Sequence, residues 1–96
     1  MIRVLDRDQE VTMGQLVDLS VEGLMMLAQE PVDVNRVFRM SLDVPEEIGL
    51  GHISFGAESL WVEPSHDTKT HWAGFQIIDI SRDNSEKIRQ LIEEFL

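Results

Sequence analysis

The chain has 96 residues, 18 acidic side chains against 8 basic ones and a net charge of −10, so it reads as one domain over residues 1–96, burying only roughly 60–65% of its unfolded surface. Its 43% hydrophobic content is too high for a disordered acidic tail and too broken by charge for membrane insertion. The acidity argues against DNA or RNA polymers as partners, because affinity for their backbone comes from Lys and Arg.

An anionic ligand would need a local cluster of arginines, working against the field of the whole molecule. Cysteine is absent, which excludes disulfides, thiolate metal sites and Cys nucleophiles. Residues 1–7 hold no long apolar run, so no leader or anchor is expected and a cytoplasmic location is the default.

In chain order, Ile2 and Val4 and then residues 11–19 alternate at period two, predicting two strands joined across the polar run at residues 6–10. Leu24, Met25, Met26 and Leu27 form a short apolar run that suits a buried strand. It follows Ser20-Val21-Glu22-Gly23, where glycine tolerates a positive φ or a close backbone approach. Phe38, Met40, Leu42 and Val44 alternate with polar neighbours up to Pro45, a half-buried strand. Ile53, Phe55, Ala57, Ser59 and Trp61 define the inner face of a longer one, in which Gly56 suits a bulge or bend. Residues 64–69 read as a polar hairpin connection. Residues 72–80 give the last strand, with Ile78 and Ile80 alternating about Asp79.

After Ile80 the apolar spacing changes to Ile88, Leu91, Ile92, Phe95 and Leu96, one face of a helix over about residues 84–96. Asp83, with Glu86 three residues on, is the expected N-terminal cap. Six strands within about residues 1–80, without intervening helices, predict an antiparallel sheet, and a chain this small manages its edges best by closing into a barrel. The terminal helix then lays its apolar stripe on the barrel or on a partner, and a homodimer through that stripe is one option.

Enzyme signatures are missing: there is no Gly-rich phosphate loop, GxSxG or HExxH, so no catalytic residues and no cofactor are expected. His66, Asp67 and His71 are metal-capable residue types in one polar turn, but a solvated hairpin is the simpler reading and no metal is assigned. The informative stretch is Asp18-Leu19-Ser20-Val21-Glu22-Gly23. Asp18 and Ser20, two apart on a strand end, share a face. An ionised Asp only accepts hydrogen bonds and so suits the adjacent N–H donors of a guanine edge, with a Ser hydroxyl donating or accepting beside it. On residue chemistry alone, the same pair also suits a corner that merely satisfies its own backbone.

Asp18-x-Ser20-x-x-Gly23 in a strand–turn–strand setting resembles the (D/N)xSxxG motif of PilZ domains. The order of the flanking blocks is similar too: Gly14, the run through Leu27, residues 38–45, the strand around Trp61, and Ala73-Gly74-Phe75-Gln76 before a final helix. The resemblance implies a six-stranded antiparallel barrel with one C-terminal helix, and bacterial signalling through cyclic di-GMP. It implies that Asp18, Ser20 and Gly23 bind that ligand at guanine, while an upstream RxxxR motif clamps phosphates. Arg3-Val4-Leu5-Asp6-Arg7 has this spacing. It falls, however, where the first strand and its turn are expected, and two arginines four apart in a strand stand roughly 13 Å apart at about 3.3 Å per residue. The usual arginines are then lost, or lie upstream of this start. Two functions therefore stand: a cyclic di-GMP receptor, with Arg3 and Arg7 as its candidate phosphate ligands, or a degenerate domain acting as a protein–protein adaptor for a component of a signalling or motility pathway.

Overall fold

Apolar alternation gives the strands of this chain one inward and one outward face. The computed structural model describes residues 1–67 and 69–96. It contains β1 (Arg3–Asp6), β2 (Val11–Leu19), β3 (Gly23–Ala28), β4 (Val37–Asp43), β5 (Ile53–Pro64), β6 (His71–Asp79) and α1 (Arg82–Phe95), with a 3-10 turn at Glu46–Ile48. The strands pair antiparallel in the order β1-β2-β3-β6-β5-β4, and β1 pairs with β4 to close the barrel. This is the six-stranded antiparallel barrel with one C-terminal helix that the periodicity predicts.

The inner faces meet in one core. Val4, Leu24, Met26, Met40, Leu42, Ile53 and Ala57 are buried there, and Phe38 and Phe75 pack edge to face with centroids 5.9 Å apart. Ile88 and Leu91 of α1 are fully buried, so the helix spends the centre of its stripe on the barrel itself. Asn84 Oδ1 accepts from the backbone N–H of Ser54 and ties the first turn of α1 to β5.

Three details depart from the sequence expectations, and a fourth decides between two of them. The helix begins at Arg82, and its cap is Ser81, whose hydroxyl accepts from the Asn84 N–H. Asp83 lies inside the first turn; both are capping residue types, and the chain direction at Ser81 is the one that fits. β5 runs on to Pro64, pairing with β6 as far as His71. The register does shift at Gly56, but the extra residue is Ile78 on the partner strand, so Ile78 is half exposed rather than part of the core face. Gly23 is not in a positive-φ conformation. A Cβ there would collide with the Phe75 carbonyl oxygen of β6, so close strand approach is what this glycine provides.

Candidate functional site

Two β-bulges build the site. Strict alternation from the inward Leu16 would turn Asp18 into the core. Instead the β2–β3 register shifts between Leu16 and Asp18, leaving Val17 as the extra residue. Asp18 therefore faces solvent and Leu19 turns inward, 8% exposed. On β5 the register shifts between Ser59 and Trp61. Ser59 is fully buried, whereas Leu60 and Trp61 are 48% and 37% exposed. Trp61, expected on the inner face, is thus re-aimed outward. Bulges commonly redirect side chains in this way beside functional sites.

Between the bulges, residues 20–23 form a tight corner. The Ser20 N–H donates to the Gly23 carbonyl at 2.9 Å, and the Ser20 hydroxyl accepts from the N–H groups of Gly23 at 3.1 Å and Glu22 at 3.3 Å. Asp18 Oδ1 accepts from the Leu19 N–H at 2.9 Å. Its other carboxylate oxygen has no partner among the described residues, which leaves an outward acceptor. The corner-satisfying role of Ser20 and the acceptor role of Asp18 coexist.

Asp18, Ser20 and Gly23 come together on an open depression of about 500 Å³, shared with Met25 of β3, Leu60 and Trp61 of β5, and Gly74 and Gln76 of β6. Gly23 and Gly74 permit the close packing here: a Cβ on Gly23 would collide with the Phe75 carbonyl oxygen, and one on Gly74 would run into the Trp61 indole. The arrangement offers a carboxylate acceptor, a hydroxyl, a broad apolar wall and an amide. Leu60, Met25 and Gln76 carry no local signal that marks them as site residues: only the pairing of β3 with β6 and of β6 with β5 brings them in.

The charged residues lining this depression are Asp18 and Glu22, with no cation among its described lining. Arg3 is on β1 with its guanidinium paired to Asp43 of β4, on the side of β1 away from β2. Arg7 sits in the turn after β1 and lines a different depression with Arg39 and Asp79. The RxxxR spacing therefore does not bring either arginine to Asp18. The Asp67 carboxylate is taken up by Ser65 and Thr70 of its own hairpin, and among the described residues no cluster of His, Asp and Glu gathers to hold a metal.

A closed barrel of this order, with a bulged DxSxxG corner and a capping helix, defines a class of small β-barrel domain. The PilZ domain model matches residues 1–94, and the chain belongs to the PilZ domain family. Among solved structures it is similar to that of the Bacillus subtilis inhibitor of motility (MotI/DgrA), with a TM-score of 0.71 and 11% sequence identity. The match covers 97% of this chain and 46% of that one, so the chain spans about half the length of this structural relative. At this identity the likeness speaks for the fold alone. No curated protein matches the chain.

Proposed function

We propose that this PilZ domain is a bacterial signalling module that reads cyclic di-GMP at the Asp18–Ser20–Gly23 corner. The observation supporting this reading is the outward turn of Asp18 at the Val17 bulge, which presents an unpartnered carboxylate oxygen beside the Ser20 hydroxyl and the Trp61 wall. A guanine edge donates two adjacent N–H groups that a carboxylate accepts together, and an indole face suits a purine ring.

The phosphates are the weak point, because Arg3 and Arg7 stand elsewhere. Charge-assisted hydrogen bonds contribute about 1.5–3 kcal/mol each, so two missing arginines correspond to about 3–6 kcal/mol, or two to four decades of affinity. That same observation favours a second reading, in which the barrel is kept and the corner is structural. The domain would then be an adaptor for a protein of a signalling or motility pathway, in keeping with the name of the similar Bacillus subtilis protein, an inhibitor of motility.

Calorimetric titration with cyclic di-GMP separates the two. The receptor reading expects weak binding by this chain, abolished by Asp18→Ala and unchanged by Arg3→Ala or Arg7→Ala. Grafting an RxxxR-bearing segment ahead of Met1 should then tighten binding by about two to four decades. Failure of the grafted chain to bind, or binding indifferent to Asp18→Ala, leaves the adaptor reading standing.

A further inference from the structure

Charge is distributed unevenly over the surface depressions of this acidic molecule. Asp18 and Glu22 line the one at the DxSxxG corner, and Asp6, Glu30 and Asp33 outnumber Arg36 at another. The groove beside the end of α1 holds Asp18 and no charged side chain of opposite sign. A fourth depression, of about 400 Å³, reverses the pattern: Arg7 and Arg39 line it against the single carboxylate of Asp79.

The backbone puts the two arginines side by side. The Arg7 N–H donates to the Arg39 carbonyl at 2.8 Å, just where β1 leaves β4. Among the described residues the Arg7 guanidinium has no partner. Arg39 has only Asp8, at 3.5 Å with both side chains more than half exposed, a pairing that solvent weakens and an incoming anion can displace. The Ser54 side chain on the same rim also lacks a partner among the described residues. Ser81 and Asn84 place the first turn of α1 at this depression, where its positive end adds to the field.

We infer that the Arg7–Arg39 depression binds a phosphoryl dianion, as free phosphate or as a phosphate monoester. Two forked guanidinium donors across a shallow cleft fit the several oxygens and double charge of such a group better than a single carboxylate, which one arginine satisfies. Asp79 opposes binding, and its carboxylate sets a charge that can be removed without touching the arginines. The site shares no lining residue with the Asp18 corner and stands or falls separately from it.

Titration of the isotopically labelled chain with inorganic phosphate at constant ionic strength, followed by amide shifts at pH 8, tests this. The expected result is saturable binding in the millimolar range, with shifts concentrated at residues 54–56 and 79–84. Arg7→Ala and Arg39→Ala should each weaken it about tenfold. Asp79→Asn should tighten it, a change that misfolding cannot mimic. Running phosphoserine in parallel separates the sources: binding of both probes assigns recognition to the phosphoryl group itself, and binding of phosphate alone assigns it to the free ion. Shifts reproduced by sodium chloride, or insensitive to both arginine substitutions, overturn the site.

Discussion

Trp61 and Gly74 are partners across the β5–β6 ladder, and the indole fills the space that a side chain at position 74 would take. The bulge at Leu60 turns the ring outward, and the glycine lets it lie down on the sheet. One wall of the candidate site therefore depends on the absence of a single methyl group. Gly74→Ala should destabilise the domain by about 1–3 kcal/mol through overpacking and shift the Trp61 emission. Combined with Trp61→Ala, most of that loss should disappear, since the two residues share one space. Additive losses in urea denaturation of the single and double variants would argue that the ring and the glycine are independent.

Ser59 is the buried hub of the neighbouring loop. Its hydroxyl donates to the Asp33 carbonyl and accepts from the Arg36 N–H at 3.1 Å, while its backbone bonds Asn35 and Arg36. Replacing it with alanine strands those loop groups without a hydrogen-bond partner. Ser59→Ala should therefore lower stability by about 1–3 kcal/mol, read as a fall in the urea midpoint with unchanged slope.

The helix start offers a direct comparison of two capping residue types two positions apart. Ser81→Ala removes the acceptor of the Asn84 N–H and should cost about 0.5–2 kcal/mol. Asp83→Ala removes only a first-turn carboxylate, worth about 0.3–1 kcal/mol through the helix dipole. Equal losses in thermal unfolding at low salt would mean that the hydroxyl is not the effective cap.

The hairpin between β5 and β6 should respond to acid. The Ser65 hydroxyl first, then the Lys69 and Thr70 N–H groups and the Thr70 hydroxyl, hold the Asp67 pKa down from 3.8 to about 2. A depressed folded-state value means that the ionised form is favoured by folding. Its contribution is present above about pH 4 and is lost as pH falls through the folded value near 2. Amide shifts of Lys69 and Thr70 should titrate in that window, and Asp67→Asn should abolish the transition. A midpoint near the ordinary carboxylate value would show that these hydrogen bonds do not form in solution.

Period-two alternation made the strands legible, and the change of spacing after Ile80 made the helix legible, because burial on one face leaves a mark at every second or at every third and fourth residue. Bulges leave none. Val17, Leu60 and Ile78 are apolar residues in apolar strands, and nothing local distinguishes an extra residue from a paired one. Asp18 and Ser20 were nevertheless recognisable as sharing a face, because the bulge lies before both. Alternation alone puts Trp61 on the wrong face because a bulge lies between it and Ser59. The arginine spacing was visible as well, but spacing says nothing about which neighbour a strand residue leans toward. Arg3 leans toward Asp43, and Arg7 turns away with Arg39.

β1 is only four residues long, yet it is hydrogen-bonded along both edges, to β2 nearby and to β4 some forty positions on, where Arg3 meets Asp43. It is the seam of the barrel. Such a distant pairing forms against a large loss of chain freedom, so closure waits on this segment. Peeling it away leaves two unpaired strand edges facing outward, the template on which chains exchange segments or assemble into aggregates. The shortest strand of the molecule is therefore its guard against self-association.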